Sequence, residues 1–178
     1  YRKRSPEESE RALNLLKQVR PDYPIEAEAG NNFYLGGNYS KAYEYFSKTQ
    51  KENLDQYYLV AYAVSAYMNN KKDESLDIAK LGIQKFAKNI TFDRVALWSA
   101  VDIQKFDEAI TYANAIVNTD SVEKSARDYI YYGLALKGNK QYQQAIDQYN
   151  KAFDMEKNNF KPYQYIADAY AEMGQEDK

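Results

Sequence analysis

Apolar residues recur along this chain at intervals of three and four positions, in segments that short polar turns separate. Ala12, Leu13, Leu16 and Val19 form the first such stripe. This spacing places the apolar side chains on one face of a helix. No segment of useful length alternates apolar and polar residues, so the pattern predicts helices and no strands. The predicted helices span residues 7–20, 25–36, 40–51, 55–70, 73–87, 91–103, 106–118, 123–138, 142–156 and 160–174.

One sequence unit recurs with a period of about 34 residues, which indicates a repeat architecture. The second half of each unit begins with a five-residue pattern. An aromatic or polar residue comes first, two polar residues and a small residue follow, and an apolar or aromatic residue ends it. It appears as YSKAY from residue 39, KDESL from 72, FDEAI from 106 and YQQAI from 142. The unit therefore predicts a pair of helices that is repeated along the chain.

Short turns separate the two halves of each unit, at residues 36–38 (GGN), 69–71 (NNK) and 137–140 (KGNK). Gly and Asn tolerate the left-handed backbone that ends many helices. Ser40, Asp73 and Asp107 follow near the next helix start, where their oxygens are expected to cap free N–H groups.

These units resemble the tetratricopeptide repeat family, whose pattern is W-x2-L-G-x2-Y, then A-x3-F, then P. The best match reads Tyr129-x2-Tyr132-Gly133-x2-Leu136, then Ala145-x3-Tyr149, with Lys157 in the Pro place. Small residues let the two helices of a hairpin approach closely, as Gly30, Ala63, Gly133 and Ala167 do on the first helices. Three features depart from the pattern. Leu97 replaces a small residue, although Ala96 beside it could serve if the register shifts by one, and Ala79 and Ala113 replace the aromatic. The third unit is also two residues longer, through the TDSVE segment at 119–123.

The resemblance implies an all-α fold, a right-handed superhelix (α-solenoid) of antiparallel helix hairpins. It divides residues 1–178 as a single repeat array. The expected parts are the second helix of a partial unit at 7–24, hairpins at 25–54, 55–89, 90–122 and 123–159, and the first helix of a truncated unit at 160–178.

Composition excludes most catalytic chemistry. The chain has no His and no Cys, so it lacks the common general base, the common metal ligand and any thiolate. We therefore expect no enzyme activity, no cofactor and no metal. The acidic pairs Asp73-Glu74 and Asp107-Glu108 are interpreted as first-turn residues that favour the positive end of a helix. A net charge of −2 without a basic stripe predicts no nucleic acid partner.

The 19 Tyr residues supply much of the apolar content, because a Tyr ring can pack while its hydroxyl stays in water. What remains for function is surface. The resemblance implies that the first helix of each hairpin lines the concave side of the array. The expected groove residues are Asn31, Tyr34, Tyr57, Tyr67, Arg94, Trp98, Arg127, Ile130, Leu134, Lys137, Lys161 and Gln164. For Ile130 and Leu134 a role in the core is an equal alternative.

The sequence thus predicts a non-catalytic protein–protein interaction module, a scaffold or adaptor that binds a peptide or protein segment in this groove. The alternative is a sensory or regulatory repeat domain of a longer multidomain protein, binding a small ligand. Arg94, Arg127, Lys137 and Lys161 could attract an acidic segment. Ala27 stands where family members that clamp acidic chaperone tails carry Lys, which argues against that clamp.

The chain begins at Tyr1 rather than Met, so we expect a piece of a longer protein. The longest uncharged run, residues 57–68, is too short to span a bilayer. A soluble protein is expected, either cytoplasmic or, if a signal sequence was removed, periplasmic or extracytoplasmic. The last predicted helix lacks a following partner, which would leave Ile166 and Tyr170 partly exposed. We therefore expect self-association through residues 160–178.

Overall fold

The computed structural model describes residues 6–20 and 23–174, and within these ranges the chain forms ten α-helices, one 3-10 turn and no strand. The predicted all-α class is confirmed. Residues 175–178 of the predicted self-association segment lie outside the described residues. The helices are α1 (Pro6–Val19), α2 (Ile25–Leu35), α3 (Tyr39–Phe46), α4 (Gln56–Met68), α5 (Lys72–Lys85), α6 (Thr91–Asp102), α7 (Phe106–Val117), α8 (Ala126–Gly138), α9 (Tyr142–Met155) and α10 (Lys161–Glu172).

Contacts between Cα atoms group the chain into two units, Tyr1–Lys88 with α1 to α5 and Asn89–Lys178 with α6 to α10. Within the first unit each helix packs against the next, and α2 also contacts α4. The second unit repeats this arrangement, and α6 also contacts α8. The pairs α2–α3, α4–α5, α6–α7 and α8–α9 therefore form helix hairpins, and within each unit the first helices of consecutive hairpins touch.

α3 is shorter than predicted, because polar side chains bond its last carbonyl groups. The Ser47 hydroxyl donates to the carbonyl of Glu44 at 2.9 Å, and the Thr49 hydroxyl donates to the carbonyl of Phe46 at 2.6 Å. Carbonyl groups in the last turn lack a partner inside the helix, so these bonds stabilise an end at this point. A separate 3-10 turn, Lys51–Asn53, occupies the remainder of the predicted segment.

The predicted side-chain caps from Ser40, Asp73 and Asp107 were wrong. α3 is capped two residues earlier than predicted, because Oδ1 of Asn38 accepts a hydrogen bond from the N–H of Lys41 at 3.1 Å. α5 and α7 begin without a side-chain cap, and their acidic residues lie inside the first turn. In that position a carboxylate still favours the helix through the positive end of its dipole.

Each hairpin turn has one residue with a positive φ. In every case the next residue donates its N–H to the carbonyl five positions earlier, at 2.8–3.0 Å. This is the hydrogen bond of a Schellman ending. The residues are Gly37 (φ 76°), Asn70 (58°), Gln104 (60°) and Lys140 (60°). Gly37 and Asn70 match the sequence expectation, whereas Gln104 and Lys140 are residue types that rarely adopt this backbone conformation.

Replacing Gln104 or Lys140 with Gly is expected to raise the free energy of unfolding by about 0.5–1 kcal/mol, because Gly adopts the left-handed conformation without steric cost. Urea denaturation measures this change. The reciprocal variant, Gly37→Ala, should lose about 1 kcal/mol, although a Cβ at Gly37 would meet no atom within 4 Å. A loss of stability in both glycine variants would contradict the backbone explanation.

The first helix of two hairpins carries a glycine opposite a buried aromatic residue. A Cβ placed on Gly30 would lie 2.9 Å from Cδ2 of Phe46, and one on Gly133 would lie 2.6 Å from Cδ1 of Tyr149. Phe46 and Tyr149 are both fully buried. Each glycine precedes its aromatic partner by sixteen residues. The absence of a side chain therefore makes room for the ring.

Two of the departures from the repeat pattern, those at helix-contact positions, occur at the same sixteen-residue spacing. Ala63 precedes Ala79, and Leu97 precedes Ala113. All four side chains are fully buried. Where the second helix carries Ala instead of an aromatic ring, the first helix carries Ala or Leu instead of Gly. Leu97 and Ala113 together have about the same volume as Gly133 and Tyr149, as a closely packed interior requires, whereas Ala63 and Ala79 together are smaller.

Tyrosine hydroxyls connect the helices of the first unit through two carboxylates. Oε2 of Glu74 accepts a hydrogen bond from Tyr43 and Oε1 accepts one from Tyr62, both at 2.7 Å, so one carboxylate on α5 joins α3 and α4. Oε1 of Glu28 on α2 accepts from Tyr58 on α4 at 2.5 Å, and from Tyr23 at 3.1 Å. These contacts give several Tyr residues a structural role.

We expect the stability of the first unit to fall at alkaline pH. The hydrogen bond to Glu74, with burial, raises the pKa of Tyr43 from 10.0 to about 12. The unfolded chain therefore loses this proton near pH 10, while the folded chain keeps it until about pH 12. Between these values the folded state binds more protons, so stability falls by up to about 1.4 kcal/mol per pH unit for this one group.

Urea denaturation between pH 8 and pH 11.5 tests this expectation. Tyr43→Phe should make the alkaline decline shallower. Glu44→Gln serves as the control because Glu44 is exposed and contacts Lys48 instead. An unchanged decline in Tyr43→Phe would show that the Glu74 contact does not hold the tyrosine proton.

Candidate functional site

In the first unit, the four predicted groove residues divide between surface and interior. Tyr57 is 53% exposed, and Tyr34 is half-buried with its ring edge-on to Tyr39 at 5.9 Å between centroids. Burial, with Tyr39 and Tyr57 nearby, raises the pKa of Tyr34. Asn31 and Tyr67 are buried. The accessible part of this set is therefore a tyrosine patch formed by Tyr34, Tyr39 and Tyr57.

Asn31 and Tyr67 offer little surface to a partner. Asn31 is 7% exposed, and its Oδ1 accepts no hydrogen bond from any described residue. Tyr67 is 8% exposed, and Nζ of Lys72 lies 3.2 Å from the centre of its ring. A role for either residue in binding stays a prediction.

In the second unit, Arg94 forms an ion pair that the sequence analysis did not predict. Its Nε donates to Oδ1 of Asp128 at 3.0 Å and its Nη2 donates to Oδ2 at 2.9 Å, while Nη2 also donates to the carbonyl of Glu123 at 2.7 Å. Asp128 is 1% exposed. The guanidinium of Arg94 therefore neutralises a buried carboxylate and fixes the loop before α8.

Asp128 also forms hydrogen bonds with Ser125, at the start of its own helix. Its Oδ2 accepts the N–H of Ser125 at 2.9 Å, and its own N–H donates to the Ser125 hydroxyl oxygen at 3.3 Å. This reciprocal pair is a capping box, and it starts α8 at Ala126 rather than at the predicted 123. The Ser-x-x-Asp sequence at residues 125–128 could therefore have predicted this helix start.

Next to this ion pair, an aromatic and cationic cluster projects from α6 and α8. The Arg127 guanidinium carbon lies 4.3 Å from the centre of the Trp98 ring and 5.6 Å from that of Tyr131. The two rings are 6.1 Å apart between centroids. Trp98 is half-buried and Arg127 is exposed. A cleft of about 630 Å³ opens here between α6, the α7–α8 loop and the start of α8.

The remaining predicted residues have mixed placements. Ile130 and Leu134 are half-buried, and Leu134 packs against the cluster of Leu136, Ala145 and Tyr149. Nζ of Lys137 donates to Oε1 of Glu172 at 2.6 Å. Lys161 and Gln164 are exposed on α10. Two of the four cations predicted to attract an acidic segment, Arg94 and Lys137, are thus engaged within the second unit.

Exposed aromatic side chains also lie at the start of α10. Phe160 is 67% exposed and Tyr163 is 49% exposed, with the Tyr163 ring 4.4 Å from that of Phe153 between centroids. Ile166 and Tyr170 are half-buried. Self-association through this helix stays a prediction.

No catalytic arrangement emerges from the described residues. Among them no three acidic side chains cluster in a way that could hold a metal ion, and the sequence has no His or Cys. Glu74, half of one acidic pair, accepts hydrogen bonds from two tyrosines instead. None of the described helices combines the length and the apolar character that crossing a bilayer requires.

The sequence analysis missed residues that complete the second-unit cluster. Asp128 and Tyr131 lie on α8 beside Arg127, and Val122 to Ser125 form the loop wall of the cleft. The capping box could have marked Asp128, and the two extra residues before α8 could have marked the loop. The pairing of Arg94 with Asp128 has no local signal, because 34 residues separate them.

Comparison of the fold with solved structures finds close likenesses at low sequence identity. MamA of MSR-1 superposes with a TM-score of 0.75 at 20% identity, covering 91% of this chain and 90% of that chain. MamA of AMB-1 gives 0.71 at 18% identity, with coverage of 85% and 89%. MamA from residue 41 to its end, from Desulfovibrio magneticus RS-1, gives 0.73 at 16% identity, with coverage of 85% and 88%.

No family model matches the sequence, and no curated protein matches it either. MamA is a known tetratricopeptide-like protein, and at these identities the likeness shows the fold alone. The chain is therefore an all-α, tetratricopeptide-like solenoid of helix hairpins.

Proposed function

We propose that this chain is a tetratricopeptide repeat protein that acts as a non-catalytic scaffold or adaptor. It binds a peptide or protein segment through the first helices of its hairpins. The observation that carries this proposal is the distribution of exposed side chains. The first helices present the exposed Tyr57 and Arg127 and the half-buried Trp98, whereas the second helices α5 and α7 expose mainly polar residues such as Asp77 and Thr111. Aromatic and Arg side chains are the usual anchors of interfaces.

The fold supports the same function. Stacked hairpins bury their faces against neighbours and leave extended surfaces that repeat proteins use for binding. A helical repeat of this kind is generally non-enzymatic, and the chain lacks the residue types for common acid–base or nucleophilic catalysis.

Photo-crosslinking in the cell that produces the protein tests this proposal. A benzophenone amino acid replaces Tyr57 on α4 in one variant and Asp77 on α5 in a matched variant, since both positions are exposed. We expect a discrete protein adduct from position 57 and none from position 77. Adducts of equal yield at both positions, or none at position 57, would contradict a binding role for the first helices.

A second candidate function is a sensory or regulatory domain of a longer protein that binds a small ligand. The cleft beside Trp98 favours it, because about 630 Å³ lies within the range of small-molecule sites. Native mass spectrometry of the chain purified from its own cell distinguishes the two. A small molecule retained at one per chain supports the sensor, and a stoichiometric protein supports the scaffold.

A further inference from the structure

The cleft of the second unit is built from three segments that polar contacts hold in place. Arg94 binds Asp128 at the start of α8 and the carbonyl of Glu123 in the loop. Nζ of Lys124 donates to the carbonyl of Thr119 at 2.6 Å, closing the same loop on itself. The walls are therefore fixed before any ligand arrives, which lowers the entropy cost of binding.

Arg127 differs from Arg94 because its charge has no acidic partner. In the described part of the chain Arg127 forms no salt bridge, although Trp98 and Tyr131 orient its guanidinium. Stacking on aromatic rings leaves the N–H donors at the edge of the guanidinium available. A planar guanidinium with a fixed orientation is the group best suited to bind a carboxylate through two parallel hydrogen bonds.

The charge of the cleft and its apolar lining then restrict the chemistry of the occupant. The cleft is lined by Arg94, Lys124 and Arg127 against Glu123 and Asp128, three positive charges against two negative, which leaves one positive charge. Ile90, Trp98 and Val122 supply apolar lining.

We propose that this cleft binds an acidic side chain of the partner peptide, with its carboxylate on Arg127. The following apolar side chain then packs against Ile90, Trp98 and Val122. This inference rests on the proposed scaffold function and names the chemistry that one of its surfaces recognises, a Glu or Asp followed by an apolar residue.

Trp98 allows a direct test, because it is the only Trp of the chain and lies in the cleft. The whole chain is titrated with acetylated, amidated hexapeptides that have Glu followed by Leu, Phe or Tyr between pairs of Gly. Trp98 fluorescence is recorded during each titration. At least one of these peptides should produce a saturable change. Replacing its Glu with Gln should weaken binding about tenfold or more, since the charge-assisted hydrogen bonds are lost.

Arg127→Gln should weaken binding of the same peptide to a similar extent. Arg127→Lys should give an intermediate loss of affinity, because Lys keeps the charge but cannot form two parallel hydrogen bonds. Lys151→Gln is the matched control. Nζ of Lys151 also lies over an aromatic ring, 5.7 Å from the centre of Tyr129, but Lys151 is outside the cleft. Far-ultraviolet circular dichroism confirms folding of each variant, which we expect because Arg127 and Lys151 are exposed.

Several results would overturn the proposal. They are the absence of a Trp98 response to every peptide, equal binding of the Gln peptide, or equal loss in Lys151→Gln. Tighter binding of a phosphoserine–Leu peptide, or equal binding of free acetylglutamate, would also reject a carboxylate-bearing peptide as the occupant. If the protein crosslinked at position 57 still binds Arg127→Gln with full affinity, the cleft proposal fails while the scaffold function stands.

Discussion

Replacing Gly133 with Ala is expected to destabilise the second unit by about 2 kcal/mol. The new Cβ would overlap the ring of Tyr149, which is fully buried and packs with Leu136 and Ala145. Overpacking of this kind typically costs about 1–3 kcal/mol, and occasionally more. The close approach to the ring places this site at the upper end of that range, about 3 kcal/mol, and the better helix propensity of Ala returns about 1 kcal/mol, which leaves a net loss of about 2 kcal/mol. Urea denaturation followed by Trp98 fluorescence reports on this unit.

A matched glycine provides the control. Gly36 is exposed at the end of α2 with φ −78°, and a Cβ there would lie 3.4 Å from the carbonyl oxygen of Asn32, an ordinary contact. Gly36 lies in the first unit, so urea denaturation of Gly36→Ala is followed by far-ultraviolet circular dichroism, which reports on the helices of both units. This variant should change stability by less than about 0.5 kcal/mol.

A double-mutant cycle isolates the overlap. In a Tyr149→Leu background, Gly133→Ala should become neutral or stabilising, because the ring is gone and the helix propensity of Ala remains. An equal loss in both backgrounds would show that the Tyr149 ring is not the reason for glycine at this position.

The second large effect is expected at Arg94. Its removal in Arg94→Met leaves the carboxylate of Asp128, 1% exposed, without its opposite charge. Breaking a buried ion pair from one side typically costs about 3–5 kcal/mol. Here the N–H of Ser125 still donates to Asp128, and the carboxylate lies in the first turn of α8, so we expect a loss of about 2–4 kcal/mol.

Two further variants define the cause. Arg94→Lys should retain part of the stability, because Lys keeps the charge but cannot form both hydrogen bonds. Arg127→Met removes an equal charge from an exposed Arg of the same cleft. Beyond the loss of stacking on Trp98, this variant should lower the free energy of unfolding by less than about 0.5 kcal/mol. Urea denaturation measures all three. Equal losses in Arg94→Met and Arg127→Met would contradict a structural role for the Arg94–Asp128 pair.

The candidate site was predictable in part. Spacing of apolar residues and the repeat identified the first helices correctly as elements, and Tyr57, Trp98 and Arg127 lie there with accessible side chains. Sequence reasoning treated Arg94 and Arg127 as equivalent cations. Only the structure shows that Arg94 neutralises a buried carboxylate while Arg127 stacks on Trp98.

The same limit applies to the packing of hairpins. The repeat pattern made Leu97 and Ala113 look like independent irregularities. In the structure they occupy equivalent positions to Gly133 and Tyr149, and a larger residue on one helix accompanies a smaller one on the other. A pattern read one position at a time cannot reveal this, because volume is conserved for the pair and not for either residue.

The sequence by itself determined the helices, the hairpin period and most turns, because these depend on interactions within about five residues. Even so, only the structure shows that Gln104 and Lys140 adopt a left-handed backbone conformation and that Asn38 caps α3. The tertiary structure decided which cations are engaged, which rings are buried and where the cleft opens. Those outcomes depend on contacts such as Arg94 to Asp128, which form only when helices distant in the sequence pack together.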